Sequence, residues 1–284
     1  MTALGRSLLH DLSHEPRRVL ERHGADIPEL AAMSGCEQPS NHHAEGDVWA
    51  HTQLALEVHA DVGAAVHQYA GEALAAAGLE ELALPPRSLT QALAVLLHDV
   101  GKPPTARRDA EGRWTYYGHD RVGATMAREL CERLKLETAA DELDLPLDVE
   151  GLAWLITEHL FWLNTDVEKV TDRAVLRRFD ESQARGDDLR VLAWCDTLGS
   201  RGPQGVPSAG FLITAELRIA CARARAATSR RRTAAVLDGH EVMRALGLSP
   251  GPEVGAVLAR IRSRTDDETE ARRLLRELAS AAAE

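Results

Sequence analysis

The sequence predicts an all-α fold, and three observations lead to this prediction. Apolar residues recur at helical spacing in roughly ten segments, and Gly and Pro residues separate these segments. No stretch alternates between apolar and polar residues for long enough to require a sheet. Hydrophobic residues make up 44% of the chain but aromatic residues only 4%, so Leu, Ala and Val must fill the core. A chain of 284 residues is long enough for one large helical domain with a small appendage.

The elements of the first half follow from local signals. Residues 34–40 predict a loop, and after it a long helix that contains His51 begins near Asp47, a residue type that caps helices. An almost wholly apolar helix ends at Leu97, because Gly101 and the Pro103-Pro104 pair prevent its continuation. The polar residues 109–117, which include a glycine, predict a mobile loop or a short hairpin.

The second half continues the helical pattern. Helices are predicted to begin at His119, to precede His159 and to include residues 191–199, where Asp196 lies in an apolar run. Residues 199–210 contain two prolines and predict a linker. A helical appendage is predicted from about Arg230 onward, with a turn at the Pro-Gly-Pro segment 250–252.

The adjacent residues His98 and Asp99 are the most informative pair in the chain. They lie at the end of a segment that should be buried, where a carboxylate without a partner is costly. A divalent metal ion can satisfy both residues, since imidazole nitrogen and carboxylate oxygen are ordinary ligands of transition metals. The pair therefore favours a metal site.

Four further residues of the same types lie on apolar helical faces. A single buried histidine more often has a structural hydrogen bond, and a single buried aspartate more often caps a helix or pairs with arginine, so these alternatives stay open for each residue alone. Together, however, the set favours metal ligands over separate structural roles. The predicted ligands are His51, His98, Asp99, His119, His159 and Asp196.

Two ions, or one, can be distributed over this set. In the two-ion hypothesis, His51, His98, Asp99 and Asp196 hold one ion, while His119 and His159 hold the second and Asp99 bridges the two. If only one ion binds, His119 and His159 could contact phosphate or act as an acid. The mixed nitrogen and oxygen ligands favour Mn, Fe, Co, Ni or Zn over Mg.

Cationic and acidic neighbours extend the predicted site. The residues predicted to act in catalysis are Asp99, Lys102 and Arg121. Arg121 is near the start of a helix, where anions are favoured. Arg201 is a weaker candidate for contact with phosphate. Ordinary surface roles remain the alternative for the three cations. Asp47 is predicted to cap its helix, and Glu45 to cap it or to orient His43 or His51.

Charge and composition limit the partners. The chain carries 33 basic and 44 acidic residues, a net charge of −11, which argues against a surface that tracks duplex nucleic acid. Between residues 217 and 232, however, six arginines and no acidic residue could form a stripe that contacts RNA phosphates, or a solvated helix end. The six arginines are Arg218, Arg223, Arg225, Arg230, Arg231 and Arg232.

The four cysteines have no metal-binding spacing, and no apolar run or signal segment indicates a membrane. We therefore expect reduced thiols in a cytoplasmic protein.

The order His, His-Asp, His, His, Asp resembles that of the HD superfamily of metal-dependent phosphohydrolases, which are all-helical. The segments HHAEGDVWAHT, LLHDVGKPPT, GHDRVGATMARELCERLKL and LAWCDTLGSRG are similar to the HD region of bacterial CCA-adding tRNA nucleotidyltransferases. Residues 237–261 resemble the C-terminal tail of the same enzymes. The resemblance implies an N-terminal helical extension at 1–40, an HD-domain helical bundle at 41–210, and a helical C-terminal region at 211–284.

One part of that family's pattern is absent from the sequence. Its polymerase head has a Gly-Gly turn followed by paired aspartates, and no such sequence precedes Asn41, so we expect no nucleotide addition. The resemblance then implies a metal-dependent phosphohydrolase of nucleotides or RNA ends, and we expect a 2′,3′-cyclic phosphodiesterase or phosphatase that uses a metal-activated hydroxide. Two alternatives stay open: hydrolysis of dinucleotides or dinucleoside polyphosphates, and a non-catalytic RNA-binding protein whose metal site only stabilises the scaffold. The oligomeric state is not predicted.

Overall fold

The computed structural model describes residues 2–39, 43–79, 82–182, 184–265 and 267–283, and their side chains except at 2, 184, 229–236, 282 and 283. The chain forms two compact units, Met1–Arg218 and Ile219–Glu284. Helices dominate both units, which confirms the predicted all-α fold. Within the described residues, no helix combines the length and the apolar character that a membrane crossing requires.

The first unit consists of short and medium helices around one buried helix. In chain order its helices are α1 (Thr2–His14), a 3₁₀ turn (Pro16–Arg18), α2 (Val19–His23), α3 (Pro28–Ala31), α4 (Val48–Ala60), α5 (Val62–Ala76), α6 (Leu89–Leu97), α7 (Lys102–Thr105), α8 (His119–Leu134), α9 (Leu136–Glu142), α10 (Val149–Glu158), α11 (Asp172–Phe179) and α12 (Ala184–Gly199). The helix α13 (Gly210–Val236) contains the boundary between the two units.

Helix α6 is the centre of the first unit. All of its residues are buried, and it packs against α1, α4, α10 and α12. Its start is fixed by a capping box, in which Ser88 accepts a hydrogen bond from the Gln91 backbone and the Gln91 side chain accepts one from the Ser88 backbone. Because α6 is enclosed on all sides, its carboxyl end delivers His98 and Asp99 into the interior.

The predicted long helix through His51 is wrong in one respect, because two helices occupy its place. Asp61, with φ −152° and ψ 71°, leaves the helical region between α4 and α5. Its carboxylate accepts a hydrogen bond of 3.1 Å from the backbone of Ala64 and thereby caps α5. Val58 and Val62 are buried on the two sides of the break, so the apolar spacing continues across it and conceals the end of α4.

A short hairpin follows α7. Strand β1 (Arg107–Arg108) pairs antiparallel with β2 (Trp114–Thr115), so that Arg107 lies opposite Thr115. This is the hairpin alternative predicted for residues 109–117: β2 lies within that segment, and β1 immediately precedes it. Gly112 has φ +78° at the tip, a left-handed conformation that favours glycine.

Besides the later part of α13, the second unit contains the helices α14 (Gly239–Leu246), α15 (Pro252–Arg262) and α16 (Glu268–Ala283). Asp238 and Glu241 form a capping box at the start of α14, and Gly247, with φ +67°, follows its end. The unit has its own core, formed by Leu237, Val242, Val254, Ile261, Ala271, Leu274 and Leu275. The predicted division into residues 1–40, 41–210 and 211–284 stays a prediction.

Candidate metal centre

The structure brings the six predicted ligand side chains together in the interior of the first unit. They come from five segments that are far apart in the chain: α4, the end of α6, the start of α8, the end of α10, and α12. Five of the six residues are buried, and the side chain of Asp196 is 19% exposed. The group is His51, His98, Asp99, His119, His159 and Asp196.

The first cluster contains His51, His98, Asp99 and Asp196. The Nε2 atoms of His51 and His98 are 3.2 Å apart. Asp196 Oδ1 lies 3.0 Å from Nε2 of His51 and 3.8 Å from Nε2 of His98. Asp99 Oδ2 lies 3.4 Å from Nε2 of His98, so two imidazoles and two carboxylates surround one small volume.

The second cluster contains His119, His159 and Asp99. The Nε2 atoms of the two histidines are 3.3 Å apart. Asp99 Oδ1 lies 3.5 Å from His119 Nε2 and 3.9 Å from His159 Nε2. Asp99 therefore turns one carboxylate oxygen toward each cluster, Oδ2 toward the first and Oδ1 toward the second.

In each of these four histidines, Nδ1 is the ring nitrogen that does not face the cluster, and it has a hydrogen-bond acceptor. Three of the rings use the same local contact, in which Nδ1 donates to the carbonyl oxygen three residues earlier: His98 to Val95 at 2.9 Å, His119 to Tyr116 at 2.7 Å, and His159 to Ile156 at 2.6 Å. His51 instead donates from Nδ1 to Glu45 Oε1 at 3.1 Å. Acceptors of this kind fix both the ring orientation and the tautomer of metal-binding histidines.

These contacts provide a test of whether a metal ion fits. When Nδ1 carries the proton, a neutral imidazole has a lone pair on Nε2. In the second cluster, neutral rings of His119 and His159 would then direct lone pairs at each other over 3.3 Å, which is repulsive unless a cation lies between them. In addition, Asp99 Oδ2 is buried and accepts no hydrogen bond of acceptable geometry, although the Lys102 ammonium is 2.7 Å away. Nitrogen donors and a buried carboxylate suit a divalent transition metal ion.

The electrostatics of the metal-free clusters agree with this conclusion. Burial would raise the pKa of Asp99, but Lys102 and His98 hold it well below its usual range. Partial burial would likewise raise the pKa of Asp196, but its contact with His51 holds it below the usual value. Burial alone would lower the pKa of His51, yet Asp196 and Glu45 raise it to about 9. By contrast, burial and the nearby His98 lower the pKa of His159 to about 4.

Glu45 lies behind the first cluster and joins several parts of the site. Its Oε1 accepts hydrogen bonds from His43 Nδ1 at 2.7 Å and from His51 Nδ1, and its Oε2 accepts one of 2.8 Å from the Arg201 backbone. Despite burial, these histidines lower the pKa of Glu45 to about 2. The prediction that Glu45 orients His43 or His51 is confirmed, and Asp47 caps α4 as predicted by accepting from the Ala50 backbone.

Lys102 is the one predicted cation that the structure places at the clusters. Its Nζ donates to Gln38 Oε1 at 2.6 Å, lies 2.7 Å from Asp99 Oδ2, and is 5.8 Å from the centre of the Tyr116 ring. Neither Gln38 nor Tyr116 was predicted to be part of the site. A polar residue in a loop gives no sign in the sequence that it will reach a lysine 64 positions away.

Arg121 and Arg201 are placed differently from Lys102. Arg121 is exposed on α8 and does not line the cleft over the clusters, so its catalytic role stays a prediction without support from this geometry. The Arg201 guanidinium donates to the carbonyl oxygens of Leu198 and Ser200, at 2.6 and 3.1 Å, where it closes the end of α12. It does not turn toward the clusters.

The predicted arginine stripe does not form a free surface in its first half. Arg218 is largely buried, donates to the Val170 carbonyl oxygen at 2.6 Å, and pairs with Asp172 at the same distance. The Arg218 guanidinium is thus engaged within the first unit, and its predicted RNA contact stays a prediction. Arg223 and Arg225 also have interaction partners. Arg230, Arg231 and Arg232 lie outside the described side chains.

A cleft of about 850 Å³ opens above the two clusters. Its floor contains Asp99, Asp196, His119 and His159, together with Lys102. Its walls come from the turn after α10, from the segment between α12 and α13, and from the first turn of α13. They include Leu160, Leu163, Pro203, Val206, Pro207 and Phe211. The clusters are thus accessible to a small molecule or to the end of a chain.

Comparison with known proteins agrees with this architecture. The A-adding tRNA nucleotidyltransferase of Deinococcus radiodurans is 38% identical over 169 residues, which cover 58% of this chain and 35% of that protein. The CC-adding tRNA nucleotidyltransferase of Thermus thermophilus is 31% identical over 282 residues, which cover 96% of this chain and 54% of that protein. A multifunctional CCA protein of Halorhodospira halophila is 34% identical over 49% of this chain and 28% of its own length. The chain thus spans between about a quarter and about half the length of these relatives.

The family model described as HD domain matches residues 53–198. This is just over half of the chain, and the matched region includes five of the six residues in the two clusters, since His51 precedes it by two positions. The matched region lies entirely within the first unit. The chain therefore belongs to the HD domain family.

Proposed function

We propose that this chain is a metal-dependent phosphohydrolase that acts on nucleotides or RNA ends, with 2′,3′-cyclic phosphates as preferred substrates. One observation carries the proposal: two histidine clusters face the two oxygens of one buried carboxylate, Asp99, at the floor of an open cleft. The family and the names of the relatives, which describe tRNA nucleotidyltransferases, support a phosphate ester of RNA as the substrate.

The proposal assigns the clusters to two divalent ions. His51, His98, Asp99 and Asp196 would hold one ion, and His119, His159 and Asp99 the other. Such ions, when bound, polarise phosphoryl oxygens and lower the pKa of water so that it can attack phosphorus near neutral pH. The mixed ligands favour Mn, Fe, Co, Ni or Zn over Mg.

Lys102 would neutralise the phosphate group. An ammonium has three hydrogens to donate, and in the structure Gln38 accepts one while Asp99 forms an ion pair with the group. The ammonium can therefore also donate to a phosphoryl oxygen in the cleft that Lys102 lines. Because Gln38 and Asp99 fix the position of the ammonium beforehand, this charge is in place when negative charge grows on the phosphoryl group.

Glu45 and the backbone carbonyls would position the histidines. Each acceptor orients its imidazole so that Nε2 points into a cluster. The carboxylate of Glu45 also increases the electron density of the His51 ring, which strengthens that ring as a ligand. These contacts exist in the metal-free structure, so the clusters need little rearrangement to bind ions.

The test combines metal analysis with a substrate panel. Full-length protein is stripped of metal, reloaded with manganese, nickel or cobalt, and assayed on nucleoside 2′,3′-cyclic phosphate, on RNA with 2′- or 3′-terminal phosphate, and on dinucleoside polyphosphates. We expect about two ions per chain, turnover of the cyclic phosphate, and loss of both ions and turnover in the His98→Ala, Asp99→Ala double variant. His67→Ala, which alters an exposed histidine of α5, serves as the matched control and should keep both.

The panel also separates the alternatives. Turnover confined to dinucleoside polyphosphates would replace the proposed substrate while keeping the hydrolase. Metal-loaded protein that hydrolyses none of these esters, yet binds RNA tightly, would favour the RNA-binding alternative. Metal content near zero after loading would overturn the metal centre itself.

A further inference from the structure

The wall of the cleft is largely apolar, whereas its floor carries imidazole, carboxylate and ammonium groups. Among the described residues, the exposed large hydrophobic side chains are Tyr69, Tyr117, Val122, Leu163, Val206 and Phe211. Three of these, Leu163, Val206 and Phe211, line the cleft above the clusters, with exposed fractions of 60%, 56% and 37%. Exposed apolar groups that gather at a site, rather than scatter over the surface, indicate a ligand that covers them.

The loop part of this wall has a fixed position relative to the floor. A turn closed by hydrogen bonds from Gly202 N to Val206 O, at 3.0 Å, and from Gly205 N to Gly202 O, at 2.8 Å, presents Val206. Arg201, next to this turn, donates its backbone N–H to Glu45 Oε2, and its carbonyl oxygen accepts from Ala44 N at 2.8 Å. Since Glu45 also holds the His51 ring, one carboxylate connects the wall with the first cluster.

The helical part of the wall is fixed as well. Phe211 lies in the first turn of α13, and Glu216, in the same helix, is buried. Glu216 forms a bidentate ion pair with Arg190 of α12, with Arg190 Nη2 2.9 Å from its Oε2, and accepts a hydrogen bond of 3.0 Å from the Trp194 indole. Anchored in this way, the start of α13 holds the Phe211 ring at the cleft without further ordering.

We infer that this wall binds the nucleobase of the substrate, with the phosphate on the floor. The inference rests on the proposed function and adds the residues that select the substrate. Only a ligand with an anionic end and a flat apolar part complements both surfaces, because the floor holds Lys102 and the ligand clusters while the wall holds an aromatic ring and aliphatic groups. Sugar phosphates and inorganic phosphate lack the flat part. Ser200, Gln204 and Ser208 at the wall supply polar groups for the edge of a base.

The test compares ligands that differ only in the base. Metal-loaded full-length protein is titrated by calorimetry with adenosine 5′-monophosphate, ribose 5-phosphate and inorganic phosphate. We expect the nucleotide to bind roughly 5- to 160-fold more tightly than ribose 5-phosphate, which is the gain that stacking of one base on one aromatic ring provides. Phe211→Ala should remove most of this difference and leave the affinity for inorganic phosphate unchanged. Phe211→Trp should preserve the difference.

Controls separate stacking from misfolding. Tyr69→Ala, which removes an exposed aromatic ring of α5 outside the cleft, should change none of the three affinities. If Phe211→Ala does not fold, Leu163→Ala provides the same comparison, since its side chain is 60% exposed and contributes little to the core. The expected result is then a smaller loss of nucleotide affinity, again without an effect on inorganic phosphate.

The outcomes distinguish this inference from the proposed function. Equal binding of the nucleotide and ribose 5-phosphate, or a difference that survives Phe211→Ala, overturns the inference and leaves a phosphate-binding metal centre intact. If metal-loaded protein binds no inorganic phosphate, the proposed function falls and the inference falls with it.

Discussion

Metal binding to the first cluster should release a proton from His51. In the metal-free chain, Nε2 of His51 lies 3.0 Å from Asp196 Oδ1 and Nδ1 lies 3.1 Å from Glu45 Oε1. Burial opposes the charge on the ring, but these two carboxylates raise its pKa to about 9. At pH 7 the ring is therefore an imidazolium that donates from both nitrogens. A metal ion requires the Nε2 lone pair, so the ion has to displace this proton.

The pKa of His51 determines the direction and the size of the pH dependence of metal binding. Below pH 9 the proton competes with the metal ion, so the apparent Kd should rise about tenfold for each unit by which the pH falls. From pH 9 to pH 7 this amounts to a Kd about 100-fold larger, or about 2.7 kcal/mol at 1.36 kcal/mol per unit. Glu45→Gln removes one of the two carboxylates, so the pKa of His51 falls and the pH dependence weakens.

Calorimetric titration of the metal-free chain with Mn²⁺ measures both quantities. Titrations at one pH in buffers of different ionisation enthalpy count the protons released, and we expect about one for the ion in the first cluster. Repeating the titration across neutral pH gives the slope of log Kd. Glu150→Gln, at an exposed carboxylate paired with Arg128, should reproduce the wild-type slope. A Kd that does not change with pH, together with no proton release, would refute the assignment of His51 as a ligand that exchanges a proton for an ion.

The remaining predictions concern stability, charge and packing. Burial and Arg87 lower the pKa of His59 from 6.5 to about 4, so the unfolded chain takes up a proton at a higher pH than the folded chain does. The stabilisation by neutral His59 is complete above pH 6.5, and about 3 kcal/mol of it is lost as the pH falls to 4. Denaturant titration should find no such loss in His59→Leu. Lys102→Ala should lower kcat roughly 100-fold while the metal content by mass spectrometry stays unchanged, whereas loss of the ions would make Lys102 structural. A Cβ at Gly101 would lie 2.1 Å from the carbonyl oxygen of His119. Gly101→Ala should therefore lower the free energy of unfolding by about 1–3 kcal/mol and weaken metal binding. Gly255→Ala should do neither, because nothing lies within 4 Å of a Cβ at that position. His119→Ala should reduce the metal content from about two ions to about one with an unchanged circular dichroism spectrum, and an unchanged content would rule out a second ion at this residue.

The sequence was informative about the candidate site where the signal was local. His98 and Asp99 are adjacent, and a buried adjacent pair requires a partner whatever the rest of the fold does. His51 and His159 were assigned to buried faces by helical spacing, and both are buried. Which carboxylate oxygen faces which cluster depends on side-chain geometry across five segments, and no spacing along the chain contains that information.

What the sequence did not show has more than one physical cause. The basic run from residue 217 predicts an RNA-binding stripe, and nothing local to it shows that Arg218 pairs with Asp172 at 2.6 Å, 46 positions earlier. The break at Asp61 was missed because buried valines continue the helical spacing on both sides of it. The apolar wall of the cleft was missed because Leu163, Val206 and Phe211 belong to segments that were read as a helix end, a linker and a helix start.

The arrangement around Glu45 suggests why phosphate chemistry and base recognition would belong to one site. Its two oxygens serve different structures, since Oε1 holds the rings of His43 and His51 and Oε2 holds the backbone of Arg201. A shift of the wall would therefore pull on the same carboxylate that sets the orientation of a predicted metal ligand. If a base settles against Val206 and Phe211, the contact at Arg201 is stabilised, and with it the position of His51. Binding energy from a part of the substrate that does not react could in this way contribute to the geometry at the phosphate.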